Sequence, residues 1–352
     1  MSDSRRPLPD PASHPPQSVL SPHPLPPGTP ALDRLAPPPG PPRRRDPRSL
    51  WAPEASFQAH AGESVSAVAW APQRFGCVMA VATCSGSLSV WERVPLAGKG
   101  PGQARWEQRA LFEEEDSASE IAALEFAPGV HGLLLAAGSR DGYVRMYEPA
   151  DGTSDWALAA ALSAGFGVGG APGPDGVTGL AWRPQLSSDG VQAMLACATA
   201  PEERPGGAPR HVPAAAGGSC SVWVWHRDAG RWARAAAVVG GPCGAVAWSP
   251  ATGRGFETLA VARGASVSVV AVEGPADQLT CRELQSLEHR APVWRAEWDV
   301  LGTALACSTE DAGVTMWELN LDGRFSGARM DRGWIAEQRD LAARGGDGAM
   351  DD

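Results

Sequence analysis

The two histidines His60 and His289 and the two turn carboxylates Asp141 and Asp311 are the residues whose types could support acid–base chemistry. Catalysis would need a nucleophile or a second base at a matching spacing, and neither histidine has one. Each histidine instead stands just ahead of an alternating apolar run. Each aspartate lies in a tight turn, where its carboxylate accepts hydrogen bonds from nearby backbone N–H groups. A structural role inside a repeating unit is the expected one. Glu113-Glu114-Glu115-Asp116 is a like-charge run that reads as a solvated loop, with contact to a basic partner as its alternative. Gly165 to Gly173 lacks the GxxxxGK[ST] pattern of a phosphate loop and reads as a linker. The 7 cysteines form no CxxC pair and fall mostly in apolar runs, where a free thiol behaves as a small hydrophobe. No catalytic residue, metal site or cofactor is expected, and the thiol usage points to a reducing, intracellular compartment.

The elements that position these residues repeat. From His289 to Leu319 the chain reads HRAPVWRAEWDVLGTALACSTEDAGVTMWEL. Trp294, Ala296 and Trp298 alternate with Val293, Arg295 and Glu297, which is the period of two of a strand with one apolar face. Gly302 breaks the run, Ala304 to Ser308 makes a second strand, and Glu310 to Gly313 turns the chain into a third at Val314 to Trp317. A further strand is expected within Arg324 to Met330. The same plan recurs four times upstream. The first copy has His60, Val65 to Trp70, Val78 to Ala82 and Leu88 to Trp91. The second has Ile121 to Phe126, Leu133 to Gly138 and Val144 to Tyr147, with Asp141 in its turn. The third has Val177 to Trp182, Met194 to Ala198 and Ser221 to Trp225, interrupted by a loop over Ala200 to Gly218. The fourth has Ala245 to Trp248, Leu259 to Ala262 and Val267 to Val272, and lacks the turn aspartate and the terminal tryptophan.

A histidine upstream, an aspartate in a turn and a tryptophan in the third strand, at this repeat length, resemble a WD repeat. That resemblance implies an all-β, WD-repeat β-propeller, incomplete and open, with five recognisable blades. It also implies a hydrogen-bonded chain through His289, Asp311, Ser308 or Thr309, and Trp317. The structural positions expected on this basis are His60, Trp91, Asp141, Tyr147, Trp225, His289, Asp311 and Trp317.

Composition divides the chain into a proline-rich arm over residues 1–53, the propeller over 54–330 and an acidic tail over 331–352. About half of the 33 prolines fall in the arm, which has no apolar periodicity and is expected to be disordered. The prolines at 22, 24, 26, 27, 30, 37 to 39, 41 and 42 remove ladder donors, so the arm supplies no central strand. The arm holds 7 of the 30 Lys+Arg and 4 of the 40 Asp+Glu, which leaves 23 basic against 36 acidic residues in the remainder. An acidic surface without a basic stripe excludes direct nucleic-acid binding and favours protein partners. Arg43-Arg44-Arg45 with Arg48 is either a nuclear-targeting cluster or part of a solvated tail. No apolar run is long enough for a membrane span or a signal peptide.

Within the repeats, several passages carry a more specific resemblance. They are Trp70-Ala71-Pro72 with Phe75-Gly76, His131-Gly132-Leu133, Trp248-Ser249-Pro250 with Gly253-Arg254 and Leu259 to Ala262, and VWRAEWDVLGTALA followed by Trp317, Asn320-Leu321 and Gly323. Together they resemble the SEH-type WD-repeat nucleoporins of the Y-shaped outer-ring scaffold, over roughly residues 57 to 330. The resemblance implies a non-enzymatic scaffold subunit in a hetero-oligomeric complex at the nuclear pore, supporting protein and mRNA transport. It further implies an elongated α-solenoid nucleoporin whose strands fill the open position, between the blade ending at Trp91 and the blade from His289 to Leu319. The same family is shared with the GATOR/SEA-type complex of the TOR pathway at lysosome or vacuole membranes. A COPII-type coat propeller is the alternative, disfavoured by the irregular turn Arg263-Gly264-Ala265-Ser266, and a ligand-binding or enzymatic propeller ranks below both. The family has one more blade ahead of Phe57, where this chain has the arm. A misplaced first exon is the expected reason, with a five-bladed protein and a wider opening as the alternative.

Overall fold

The computed structural model describes residues 56–96, 104–113, 119–150, 155–165, 175–184, 192–201, 218–250 and 255–330. The arm and the acidic tail lie outside the described residues, as do nearly all of the loop after Ala200, most of Gly165 to Gly173, and Glu114 to Asp116. Two units are distinguished, Met1–Gln58 with Val94–Arg105, and Ala59–Arg93 with Trp106–Asp352. The second carries the fold.

Among the described residues twenty strands form five four-stranded antiparallel sheets, each from consecutive strands in simple up-and-down order. Sheet one contains β1 (Val65–Trp70), β2 (Val78–Thr83), β3 (Leu88–Pro95) and β4 (Ala104–Phe112). Sheet two contains β5 (Ile121–Phe126), β6 (Leu135–Ser139), β7 (Tyr143–Pro149) and β8 (Trp156–Ser163). Sheet three contains β9 (Gly176–Trp182), β10 (Met194–Ala200), β11 (Ser219–His226) and β12 (Arg231–Gly240). Sheet four contains β13 (Ala245–Trp248), β14 (Glu257–Arg263), β15 (Ser266–Glu273) and β16 (Thr280–Glu288). Sheet five contains β17 (Val293–Trp298), β18 (Ala304–Thr309), β19 (Val314–Leu319) and β20 (Phe325–Met330). These are WD-type blades, and among the described residues no sheet closes on itself. The fourth strands β4, β8, β12 and β16 were not foreseen in the sequence, because their alternation is diluted by Arg, Glu, Gln and Ala.

First strands of consecutive blades pack in chain order, β1 on β5, β5 on β9, β9 on β13 and β13 on β17. The space between blades is filled by small residues on one side and large ones on the other. Ala67, Ala69, Ala80 and Ala82 of blade one meet Phe126, Leu135 and Tyr147 of blade two. Ala245, Ala247, Ala260 and Ala262 of blade four meet Ala296, Leu305 and Phe325 of blade five in the same way. Burying apolar surface at about 25 cal/mol per Å² is the main stabilising contribution at these junctions.

Gly138 shows how close the approach is. A Cβ at this position of β6 would lie 2.4 Å from Val177 Cγ1 of β9, a residue with no exposed surface. Gly138→Ala is expected to destabilise by about 1–3 kcal/mol through overpacking. Adding Val177→Ala should recover part of the lost thermal midpoint, and an unshifted midpoint for Gly138→Ala alone would contradict this junction geometry.

Candidate functional site

Register places one equivalent row across every sheet. Met79 of β2 pairs with Trp70 and Trp91. Leu135 pairs with Phe126 and Tyr147, and Leu195 with Trp182 and Trp223. Leu259 pairs with Trp248 and Val270, and Leu305 with Trp298 and Trp317. Paired residues point to the same face of a sheet. In four blades an aromatic ring of the fourth strand completes the row. Ring centroids lie 5.8 Å apart for Trp70–Trp106, 6.3 Å for Phe126–Trp156, 5.7 Å for Trp182–Trp232 and 5.7 Å for Trp298–Phe325.

Trp223, not Trp225, therefore holds the third-strand position of blade three. Trp225 sits two residues on, with its ring 5.7 Å from Trp232. The run Trp223-Val224-Trp225 offered two tryptophans of the same alternation phase, and only the pairing with Leu195 separates them. A short-range bond repeats at the corrected position: Trp223 Nε1–H donates to Ser221 Oγ at 3.2 Å, as Trp91 Nε1–H donates to Ser89 Oγ at 2.8 Å.

The expected polar residues fall inside the blades. In blade one, Ser89 Oγ also bonds His60 Nε2 at 2.8 Å, so buried His60 and Ser89 form a relay with the half-buried Trp91. In blade five, Trp317 Nε1–H donates directly to His289 Nε2 at 3.1 Å, while His289 Nδ1 lies 3.0 Å from the Leu287 carbonyl. Nε2 as acceptor and Nδ1–H as donor define one neutral tautomer. Burial lowers the His289 pKa further, against the opposing pull of Leu287 and Glu288. Thr309 is the second-strand hydroxyl that bonds Asp311, at 2.6 Å. Asp141 caps its own turn by accepting from the Tyr143 N–H at 3.0 Å and pairs with Arg145 at 2.8 Å. Tyr147 is buried in the junction between blades one and two, with its ring 4.4 Å from Phe112.

Five first strands surround a cavity of about 580 Å³ lined by Ser66, Glu125, Thr178, Trp248, Arg295 and Glu297 among others. Glu125 was not singled out from the sequence, because one glutamate in an alternating strand carries no signal of its own. Its Oε2 accepts from the Trp182 backbone N–H and its carbonyl from Trp182 Nε1–H, both at 3.2 Å, which clamps blade two to blade three. The Glu125 carboxyl is pushed up to about 8, chiefly by burial and to a lesser extent by Glu297, with the Trp182 N–H and Arg295 opposing. The cysteines offer no reactive thiol in the core: burial pushes Cys197, Cys243 and Cys307 up to about 12 and Cys220 well above its ordinary value. Among the described residues no group of three His, Cys, Asp or Glu is placed to hold a metal. No helix of the described residues is long and apolar enough to cross a membrane.

In blade one the first-strand end of the row stays open among the described residues. Phe126, Trp182 and Trp248 are 7%, 4% and 5% exposed in their junctions, whereas Trp70 is 58% exposed and Val68 beside it 51%. At the other end, blade five turns outward a face whose first strand carries the exposed Arg295–Glu297 ion pair at 2.7 Å. These two unlike faces are the candidate docking surface.

No protein-family model matches the chain. Nucleoporin SEH1 of Bos taurus is 28% identical over 285 residues, which cover 77% of this chain and 73% of the relative. Nucleoporin SEH1-A of Xenopus laevis and nucleoporin SEH1 of Homo sapiens match with the same identity and coverage. The five blades, the rows of aromatic residues and these relatives agree, and the chain is a homologue of nucleoporin SEH1 of the WD-repeat, β-propeller type.

Proposed function

We infer that the protein is a non-enzymatic scaffold subunit of the nuclear pore outer ring, built into the ring by a partner that fills the open position of its propeller. The single observation that carries the docking is the exposed Trp70 of blade one, whose counterparts Phe126, Trp182 and Trp248 are buried against a preceding blade. The SEH1 relatives support the assembly in which this takes place. An elongated α-solenoid nucleoporin is the partner the reading assigns, and transport of protein and mRNA through the pore is the process it serves. Docking uses the faces of blades one and five as well as strand edges, because blade one offers unburied apolar area at Val68 and Trp70 and blade five an exposed ion pair. The interior supports structure rather than catalysis: its histidines hold tryptophans, and its buried thiols stay protonated.

Affinity purification of the tagged full chain followed by mass spectrometry tests this. A solenoid nucleoporin together with other outer-ring subunits is the expected outcome. Recovery of vesicle-coat subunits alone would overturn the reading, and recovery of a TOR-pathway complex alone would move the scaffold to that assembly.

A further inference from the structure

The tryptophans at first-strand ends do not all make the same bond. Trp182 donates Nε1–H to the carbonyl of Glu125, the penultimate residue of β5, at 3.2 Å, and Trp298 donates to the carbonyl of Ala247, the penultimate residue of β13, at 3.1 Å. Trp248 holds the same place in blade four and is 5% exposed, yet its Nε1–H has no acceptor among the described residues. The residue that follows the row position accounts for the difference. Ala71, Ala127, Arg183, Ser249 and Asp299 are equivalent, each donating its backbone N–H across to the second strand or the residue just before it, at 2.8 or 2.9 Å. In the blades whose carbonyl is read, two and four, this residue is small, Ala127 and Ser249. In blade three, which packs against Trp248, it is Arg183, and the bulk of an enclosed arginine keeps the indole from the bond its counterparts make.

Arg183 is itself 6% exposed. Its Nη2–H donates to the Gln192 carbonyl at 3.0 Å and its Nη1–H to Met194 Sδ, a weak acceptor, at 3.4 Å. Its Nε–H has no partner, and neither has the enclosed Oε1 of Gln192. Met194 and Trp248 lie in one buried cluster with Ala181, so these orphaned groups share the corner between blades three and four. Turning the Gln192 amide over would present its NH2 in place of Oε1 and add a donor. Burial lowers the Arg183 pKa and Glu257 opposes, but no ion pair joins these two residues. The guanidinium is therefore an enclosed cation without a counter-ion among the described residues.

We propose that Arg183, Trp248 and Gln192 form an oxyanion site, in which a carboxylate or phosphate group accepts from Arg183 Nε–H and Trp248 Nε1–H and neutralises the guanidinium. The corner borders the cavity at the hub, whose lining includes Pro184, Trp248 and Pro250, and an anion approaches from that side. A water molecule would accept from the same two N–H groups but leave the charge uncompensated, and an enclosed charge is costly unless it is paired. An oxyanion supplies both the acceptors and the opposite charge.

The test is the thermal midpoint of the full chain in sodium phosphate, sodium sulfate and sodium acetate against sodium chloride, at matched ionic strength so that screening is constant. The parent midpoint should rise by about 2–4 °C at an anion concentration about five times its Kd. Arg183→Met keeps a long stem and removes the charge; its midpoint in chloride should lie above the parent's, and the anion should not move it. Trp248→Phe keeps a ring and loses the donor, and should need about tenfold more anion for the same rise. Acetate acting more strongly than phosphate and sulfate would support the site as one for a carboxylate; the reverse order would support it as one for a phosphate group. No rise in the parent would overturn the proposal. An equal rise in the parent and Arg183→Met would also overturn it, because that is general exclusion of salt from the surface. So would an Arg183→Met midpoint below the parent's in chloride, or a loss of stability in Asp189→Asn without any response of the parent to anions, since the guanidinium would then be paired within the chain.

Discussion

Glu125→Gln is expected to stabilise the protein at alkaline pH and to change little in acid. The carboxyl is enclosed between blades two and three with some of its surface still open to the cavity, and its pKa rises from 4.5 to about 8 on folding. A folded-state pKa above the unfolded one means that the native state binds more protons between those two values. Stability from this group is then complete below about pH 4.5, declines as pH rises, and is gone above about pH 8. Glutamine keeps a carbonyl oxygen to accept the Trp182 N–H and has no charge to desolvate. The variant should gain on the order of 3 kcal/mol over the parent at pH 9, after discounting for the surface that reaches the cavity. Urea midpoints of both proteins at pH 4.5, 7 and 9 check this. Parallel midpoints at all three would show that Glu125 is solvated.

Much of the architecture was legible in the sequence because most first strands alternate, second strands are short apolar runs such as Met194–Ala200, and turn residues separate them. Val65–Trp70, Ile121–Phe126, Ala245–Trp248 and Val293–Trp298 have the observed bounds. Fourth strands were missed because they lie at the blade's outer edge, where only one residue in several needs to be apolar: β16, Thr280–Glu288, buries Leu287 fully and leaves most of its length exposed. The row of aromatics was half legible. Recurrence of tryptophan near first-strand ends was visible, but which of Trp223 and Trp225 pairs with Leu195 depends on a register that periodicity alone does not give. Glu125 and Trp70 were opaque for a related reason. Each is an ordinary member of its strand, and it acquires meaning only from what the neighbouring blade does, or does not, place against it.

Trp317→Ala carries the other large expected effect, about 3 kcal/mol of lost stability. The figure belongs at the lower end for a tryptophan because the ring is only partly buried. It lies over Gly327, where an added Cβ would come within 2.6 Å of Trp317 Cε3, so Gly327 supplies no side chain to fill the space left by the ring. Trp317→Phe separates packing from the hydrogen bond: it keeps an aromatic ring and removes the donor to His289 Nε2, at a cost of about 1 kcal/mol. The two variants also differ from the parent in acid. Burial lowers the His289 pKa below its ordinary 6.5, so the unfolded chain binds the proton more readily than the native one. Stability from neutral His289 is therefore present above about pH 6.5 and is lost as pH falls toward the native pKa. Protonating Nε2 sets two donors, Trp317 Nε1–H and the new imidazolium N–H, against each other. Without the indole N–H that conflict disappears, so the gap between Trp317→Phe and the parent should narrow between pH 7 and pH 5 in urea titrations. A gap that stays constant over that range would mean that His289 keeps its proton state, and a Trp317→Ala midpoint equal to the parent's would remove the ring from the list of residues that hold blade five together.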